Sequence, residues 1–317
     1  SAQDLRTRTL HDQGRCQEAL VLCLDSMESL KRVRADLENR GESVADIPER
    51  TAVRFEVMGD LKRKLGDVSG ACEEYRNCLR IRESQSANDK DDYGSNYKIG
   101  VAIFRIAQFC PGTGNAEEGL MLDVAQRATD FLRQRMRDRG QRTSALRLAA
   151  ISHEALAFLV FERGMREQSK DLFERALRWY EILRESLPED AEISNALAWF
   201  YLTVPVLEFQ DYKKALSLAS LASESTDHGD ASNRNTLALA YYRNGLTGSA
   251  VETIERTLNR PGCHEAKDLL IAAMAYSKSG ATDKAETMLQ RAEERIGQTP
   301  PPVDRALLEE ARGLIRR

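Results

Sequence analysis

The chain is poor in residues that interrupt helices. Its 317 residues include only 8 prolines and 19 glycines, and runs of β-branched residues are scarce. Because proline and glycine break helices and β-branched residues favour strands, this composition favours an all-helical protein. Hydrophobic residues make up 42% of the chain and charged residues 30%, so the chain can bury a core and is not a disordered tail.

An excess of charge of one sign is absent as well. Lys and Arg number 46 against 50 Asp and Glu, and the net charge of −4 is spread along the chain, which argues against a dedicated nucleic-acid binder. No apolar run approaches the roughly 18 residues that span a membrane, and no signal peptide is visible. We therefore expect a cytoplasmic protein that contacts neither a membrane nor nucleic acid. The arginine-rich stretch 133–142 is predicted to be a solvated helix end, with a patch for an acidic partner or nucleic acid as the alternative.

Cysteine motifs are also missing. No two cysteines form a Cys-x-x-Cys pair, and no histidine lies at a zinc-ligand spacing from two of them. Single cysteines on helical faces are typical of small buried hydrophobic residues in a reducing compartment. This interpretation applies to all six: Cys16, Cys23, Cys72, Cys78, Cys110 and Cys263.

Motifs that carry catalysis or bind cofactors are incomplete. His153 and Glu154 begin like a metalloprotease helix, but Ala157 stands where the second histidine ligand belongs, so we expect His153 to be a packing residue. The stretch 89–100 lacks the final glutamate of a calcium loop, and 111–114 lacks the Lys-Ser/Thr of a phosphate loop. The sequence therefore predicts no enzyme, no metal and no cofactor.

The chain instead contains an internal repeat. One unit runs from Ala231 to about Gly262, and a second copy follows 35 positions later. Apolar residues recur at spacings of three and four, which predicts one apolar stripe on each of two helices. The first unit has Leu237, Ala238 and Tyr241 before Gly245, then Ala250, Ile254 and Leu258; the second has Ala272, Ala273 and Tyr276 before Gly280, then Ala285, Leu289 and Ala292.

Each unit is predicted to be a helical hairpin. A glycine supplies the positive φ that ends the first helix, at Gly66, Gly164, Gly245 and Gly280. Small residues allow close approach of the two helices, at Gly59, Ala71, Ala157, Ala238, Ala250, Ala273 and Ala285. Larger residues fill the space towards the next hairpin, at Tyr75, Phe173, Ile254 and Leu289. A single hairpin cannot bury both faces, so such units stack into a solenoid.

This spacing of small and large residues resembles the tetratricopeptide repeat (TPR) family over nearly the whole chain. The resemblance implies one all-α domain over residues 1–317, a right-handed superhelical solenoid of about seven TPR-like helical hairpins with a C-terminal capping helix. The repeats are predicted at about 1–42, 48–88, 92–140, 143–188, 190–227, 231–263 and 266–297, and the capping helix at 303–315.

Two stretches resemble the repeats of large bacterial signalling proteins. One runs from Gly66-Asp-Val-Ser-Gly-Ala71 to Asn96-Tyr-Lys-Ile-Gly100. The other combines Leu197-Ala-Trp199 with Asn235-Thr-Leu-Ala238 and is similar to repeats that follow serine/threonine kinase domains. The resemblance implies a regulatory or partner-recruiting segment of a larger bacterial protein, and the chain has no kinase motif. Because only the C-terminal end has a predicted cap, we expect a C-terminal fragment.

The first helices of stacked hairpins line a concave groove, which suits a protein segment or peptide. The predicted groove residues are Tyr97, Val101, Phe104, Glu154, Phe158, Phe161, Asn195, Trp199, Asn235, Leu239, Tyr242, Leu270 and Met274. The amides of Asn195 and Asn235 are expected to hold the partner's backbone. The partner is a protein or peptide, with a catalytic domain of the same chain as one candidate. The alternative function is structural self-assembly, which exposed Leu5 and Leu10 would favour.

Overall fold

A computed structural model describes residues 15–86, 93–110, 139–225, 231–259, 264–296 and 300–316, together with isolated positions between 6 and 126. It divides the chain into two compact units, Ser1–Leu148 and Ala149–Arg317. These residues contain thirteen α-helices with defined bounds and, over the same ranges, no strand. The prediction of an all-helical fold is confirmed.

In the first unit, each helix packs against the next one along the chain. The helices are α1 (Cys16–Asn39), α2 (Ile47–Lys64), α3 (Val68–Ser86) and α4 (Tyr93–Phe109). Helices α2 and α3 make the predicted second hairpin, and α4 begins the third. The second helix of the third repeat and the opening of the first repeat lie outside the described residues, so the count of seven repeats stays a prediction.

The second unit begins within α5 and continues as alternating first and second helices. Its helices are α5 (Arg139–Glu162), α6 (Arg166–Ser186), α7 (Ala191–Thr203), α8 (Tyr212–Ser225), α9 (Ala231–Arg243), α10 (Thr247–Leu258), α11 (Ala266–Ser279), α12 (Thr282–Ile296) and α13 (Pro302–Ile315). The first helices α7, α9 and α11 pack side by side, with α9 between the other two. A short 3-10 turn, Leu207–Phe209, occupies the insertion between α7 and α8.

The four glycines predicted to end first helices all have positive φ. The values are 88° at Gly66, 79° at Gly164, 76° at Gly245 and 81° at Gly280. After each of these glycines, the next residue's N–H closes the turn onto the helix. Leu246, for example, donates to the Tyr241 carbonyl at 2.9 Å, and Ala281 donates to the Tyr276 carbonyl at 3.0 Å. Such bonds satisfy carbonyls that the helix end leaves open, so the turn chemistry explains the repeated glycine.

Close approach of paired helices is confirmed at the predicted small residues. A Cβ atom at Gly59 would lie 2.5 Å from Cε1 of Tyr75, so no larger residue fits there without movement of the Tyr75 ring or of the two helices. The predicted alanines are buried, as are the larger residues that fill the space beyond them: Ala71, Ala157, Ala238, Ala250, Ala273 and Ala285, with Tyr75, Phe173, Ile254 and Leu289.

The expectation that all six cysteines stand alone is wrong for Cys16, Cys72 and Cys110, which are disulfide-bonded. Cys72 of α3 and Cys110, just after α4, form a disulfide. The pair lies in a cluster with Ala71, Tyr75 and Ile106, where α3 packs against the next repeat. The sequence did not reveal it because the two cysteines are 38 positions apart and become neighbours only through hairpin stacking. Cys78 is a buried thiol, as predicted.

Helix α5 contains a stretch that is long and apolar enough to cross a membrane by length and composition. Within the segment Arg142–Glu162, an 18-residue window has a mean hydropathy of 1.4, and 61% of that window is buried in the protein. The expectation that no apolar run reaches this length is therefore wrong. Burial of this kind is typical of the core helix of a folded protein, and the absence of membrane contact stays a prediction.

The last helix, α13, packs on α11 and α12 through one apolar stripe. Leu307, Leu308 and Ala311 are buried, whereas Glu309 and Arg312 on the opposite face are exposed. The predicted capping helix at 303–315 is therefore present within one residue of its predicted bounds. It covers the apolar end of the last hairpin.

Replacement of Gly59 by alanine is expected to lower the free energy of unfolding by about 1–3 kcal/mol, because the new Cβ would overlap the Tyr75 ring. Gly248→Ala is the matched control, since a Cβ there meets no atom within 4 Å. That change is expected to be neutral or stabilising by about 0.5–1 kcal/mol. Urea unfolding measures both, and equal stability of Gly59→Ala and the parent would contradict the close approach.

Removal of the disulfide with Cys72→Ser and Cys110→Ser is expected to cost about 2–4 kcal/mol, because the bond restricts the unfolded chain. Most of this difference is expected to disappear when parent and variant are both reduced. A tryptic digest without reductant should contain one cross-linked species that joins the peptides carrying the two cysteines. Two separate thiol-bearing peptides in that digest would refute the bond.

Candidate protein-interaction surface

Five of the predicted groove residues are buried between helices. They are Phe158, Asn235, Leu239, Leu270 and Met274, each at most 5% exposed. The expectation that they form an open groove floor is therefore corrected. For the four residues on α9 and α11, the physical reason is that α9 lies between α7 and α11, while α11 is covered by α10, α12 and α13. Every residue of α11 from Asp268 to Tyr276 is consequently buried. Phe158 of α5 instead packs against Phe173 of α6, with ring centroids 5.0 Å apart.

The Asn235 amide is buried and links two first helices by a hydrogen bond. Its Nδ2 donates to Oδ1 of Asp268 at 2.8 Å, and Asp268 Oδ2 accepts from the backbone N–H of Glu265 at 2.9 Å. Asp268 thus joins α9 to the first turn of α11. Burial raises the pKa of Asp268, and the hydrogen bonds to its carboxylate oppose that shift.

Glu154 of α5 is likewise used inside the fold. Its Oε2 accepts a hydrogen bond from the Tyr180 hydroxyl of α6 at 2.6 Å. Burial raises the pKa of Glu154 to about 7, and the hydrogen bond from Tyr180 only partly offsets the cost of burying the charge. His153, beside it, is buried with Nδ1 2.7 Å from the Ala149 carbonyl oxygen, which confirms the packing interpretation.

Five predicted site residues of the second unit remain partly exposed: Glu154, Phe161, Asn195, Trp199 and Tyr242. Three are aromatic, and they lie on α5, α7 and α9. Each ring has a cation near it: Arg166 lies 3.6 Å from the Phe161 centroid, Lys267 lies 5.6 Å from that of Trp199, and Arg243 lies 5.6 Å from that of Tyr242. We call Phe161, Trp199, Tyr242 and their three cations the aromatic–cation row.

Asn195 differs from Asn235, although the two stand at matching positions of successive repeats. Asn195 is partly exposed as a residue, but its Oδ1 is buried and has no hydrogen-bond partner among the described residues. It precedes Trp199 by one helical turn. The two asparagines therefore differ in their contacts although they are equivalent in the sequence. Only Asn235 has an aspartate, Asp268, within hydrogen-bond distance on the next first helix.

Helix α13 contributes a residue that the sequence did not single out. Glu310 binds the guanidinium of Arg243 through both carboxylate oxygens, with 2.6 Å between Nη2 and Oε2, and accepts from the Tyr242 hydroxyl at 3.3 Å. Burial and the adjacent Glu310 carboxylate raise the pKa of Tyr242 to about 12. Arg243 and Glu310 are 67 positions apart, so the sequence contains no local signal for this pair.

Both ends of α13 are also held by ion pairs. Arg305 donates to Glu162 of α5 at 2.9 Å, near the start of the helix. Near the end of the helix, Glu293 of α12 accepts from Arg312 at 2.7 Å and from Arg316 at 2.8 Å. Helix α13 therefore contacts α5, α9 and α12 through charged groups in addition to its apolar stripe on α11.

The remaining predicted residues belong to the first unit. Val101 and Phe104 of α4 are partly exposed, while the side chain of Tyr97 lies outside the described residues. Ion pairs border the two: Arg105 lies 2.9 Å from Glu56 and 3.2 Å from Asp60 of α2. The facing sides of α2 and α4 thus combine two apolar side chains with paired charges.

The calcium-loop, phosphate-loop and arginine-cluster patterns of the sequence form no binding site in the described residues. The stretches 89–92, 111–118 and 127–138 fall outside them, so the weak calcium-loop, phosphate-loop and arginine-cluster patterns keep their predicted status. Within the described ranges, no group of three or more His, Cys, Asp or Glu side chains could hold a metal ion.

No model of a known protein family matches this sequence, and no curated protein matches it. Solved structures with a similar arrangement include yeast Tom70, at 13% identity and a TM-score of 0.37 over 98% of this chain and 80% of that one. A tetratricopeptide repeat protein from Parabacteroides merdae has 13% identity and a TM-score of 0.34 over 83% of this chain and 99% of its own. The TPR domain of P58(IPK) has 14% identity and a TM-score of 0.30, over 99% and 98%. At these values, the hairpin assignment rests on the turns and packing of this chain itself.

The raised pKa of Glu154 predicts a pH-dependent stability. Between pH 4.5, its ordinary pKa, and pH 7, the unfolded chain loses this proton while the folded chain retains it, so stability falls as the pH rises through this window. The loss is on the order of 3 kcal/mol and is constant above the window.

Glu154→Gln keeps an acceptor for Tyr180 but does not ionise, so it isolates the effect. We expect the difference in unfolding free energy between variant and parent to grow in favour of the variant from pH 4.5 to pH 7. Urea unfolding at half-unit pH steps measures it. A difference that does not change with pH would show that the Glu154 carboxyl titrates alike in the folded and unfolded chains.

Proposed function

We propose that this chain is a non-enzymatic scaffold that binds a protein segment at the aromatic–cation row of its second unit. The observation that carries the proposal is the row itself: three partly exposed rings on three successive first helices, each with a cation within 6 Å. Aromatic anchors usually supply most of the binding energy at protein interfaces. A repeated arrangement on successive helices is suited to an extended or helical segment.

The chemistry of the row specifies the kind of segment. Rings provide apolar contact area, and the cation beside each ring attracts carboxylates, although Lys267 is already paired with Glu265 and Arg243 with Glu310. Arg243 provides an example of this attraction within the chain, because it binds Glu310 through both carboxylate oxygens. The expected partner segment therefore alternates apolar residues with Asp or Glu.

Asn195 supports the same surface. Its Oδ1 accepts no hydrogen bond within the described part of the chain, and Trp199 lies one turn away. That oxygen is itself buried, so the Asn195 side chain has to turn outwards before a backbone N–H of a segment seated on Trp199 can donate to it, for about 0.5–1.5 kcal/mol net. The role predicted for two asparagines is thus assigned to Asn195 alone, because Asn235 already binds Asp268.

The biological setting in this proposal is a regulatory or partner-recruiting segment of a larger bacterial signalling protein in the cytoplasm, with a catalytic domain of the same chain among its partners. It follows from the resemblance of two sequence stretches to repeats behind bacterial kinase domains. Binding at the row does not depend on this setting.

Self-assembly is the second candidate, and α1 favours it. Val21 and Leu24 lie one turn apart on α1 and are 51% and 47% exposed. Of the two N-terminal leucines expected to be exposed, Leu10 is buried and Leu5 lies outside the described residues. Light scattering during size-exclusion chromatography decides this candidate, since a dimer that persists on dilution would support it and a monomer would exclude it.

The binding proposal predicts that a peptide library displayed on phage, selected on the 317-residue chain, yields sequences that combine apolar residues with Asp or Glu. Lys267→Glu is expected to weaken the selected peptides about tenfold, because it places a negative charge above Trp199. Fluorescence polarisation with labelled peptides measures the affinities.

Lys278→Glu is the matched control, since Lys278 lies on the same helix, is exposed and undergoes the same change of charge. It is expected to change the affinities less than twofold. A selection that returns no acidic–apolar peptide, or equal weakening by the two variants, would refute binding at the row.

A further inference from the structure

We infer that α13 is an internal occupant of a helix-binding site, and that a partner's amphipathic helix with a carboxylate at the position of Glu310 takes its place. The site is the surface of α9, α11 and α12 beneath α13. The inference rests on the proposed function and deepens it, because Tyr242 and Arg243 belong to both the aromatic–cation row and this site.

The path of α13 is that of a bound segment. The last helix of a stacked array normally contacts the hairpin before it. Helix α13 does so through its apolar stripe, but it also reaches Glu162 of the fourth repeat through Arg305 and Arg243 of the sixth repeat through Glu310. A helix that crosses several repeats along their first helices occupies the place where a partner would bind.

The buried charge at Arg243 sets the main requirement for any occupant. The Arg243 side chain is 18% exposed, and Glu310 engages it with both oxygens while also accepting from the Tyr242 hydroxyl. A helix without an acid at this position would leave the guanidinium covered and without its carboxylate, which is unfavourable. Apolar residues alone do not satisfy the site.

The remaining contacts of α13 specify which other residues a partner helix needs, and a partner helix can reproduce them. Leu307, Leu308 and Ala311 supply the apolar stripe, so a partner needs small or aliphatic residues at the same spacing around its acid. The ion pairs of Arg305 and Arg312 involve arginine side chains that are 43% and 45% exposed, so solvent weakens these pairs and they contribute little to holding α13 in place. A helix of 14 residues is also marginally stable by itself, so its order depends on this docking.

The test measures binding of a fluorescein-labelled synthetic peptide of residues 300–316 to the full 317-residue chain. In the parent, α13 fills the site, and we expect weak binding. Glu310→Lys on the chain removes the charge match and frees the site, so the peptide is expected to bind at least tenfold more tightly. Glu309→Lys is the matched control: Glu309 is exposed on the same helix, carries the same charge and is expected to leave binding at the parent level.

A charge exchange provides the rescue. Glu310→Lys combined with Arg243→Glu restores an ion pair within the chain, so peptide binding is expected to return to the parent level. Binding by Glu310→Lys no tighter than by the parent, or a gain equal to that of Glu309→Lys, would overturn the inference.

Hydrogen exchange on the unaltered chain keeps the test valid if Glu310→Lys fails to fold. Amides of α13 are expected to exchange at least tenfold faster than those of α12, because an occupant leaves its site without unfolding the hairpin beneath it. Equal rates in the two helices would overturn the inference.

The two proposals fail separately. If library peptides bind at the row but the 300–316 peptide gains nothing from Glu310→Lys, this inference alone is wrong. If the 300–316 peptide gains affinity while the library yields no acidic–apolar ligand, the proposed function is wrong, and the occupant of the site is α13 of a second copy of the chain.

Discussion

The close approach of two helices at small residues is the constraint on which the rest of the structure depends. At Gly59, a single added carbon would lie 2.5 Å from the Tyr75 ring, so the distance between α2 and α3 is fixed by the absence of a side chain. The same ring reaches the cluster formed with Ile106 and Cys110 of the next repeat. Tyr75 thus contacts both the partner helix of its own hairpin and the next repeat. Contacts of this kind are the reason that such hairpins stack.

Stacking then decides which first-helix residues are left for binding. Helix α9 has first helices on both sides, and α11 has α13 on its remaining face, so Leu239, Leu270 and Met274 become core residues. Polar groups within this layer must find partners inside the protein, as Asn235 does with Asp268 and Glu154 does with Tyr180. The accessible surface is therefore narrower than an open groove.

The sequence was sufficient where the cause of a feature is local. The glycine turns at Gly66, Gly164, Gly245 and Gly280, and the small residues between paired helices, follow from conformational and steric needs within about 35 residues. Features made by distant segments were not predictable in this way. The Cys72–Cys110 bond, the burial of Asn235 and the Arg243–Glu310 pair all depend on where later helices pack. The exposed and buried members of the predicted groove could not be separated for the same reason.

A site that its own chain occupies discriminates more sharply than an empty one. If α13 is such an occupant, a partner helix has to displace it, and the partner's apparent affinity is then lower than its intrinsic affinity by the fraction of chains in which α13 is released. The exposed ion pairs at the ends of α13 offer little preference for one helix over another. The buried Arg243 guanidinium does, because a helix without a matching carboxylate leaves a covered charge unpaired. Selectivity at this surface therefore comes from one buried charge, while the apolar stripe supplies most of the contact.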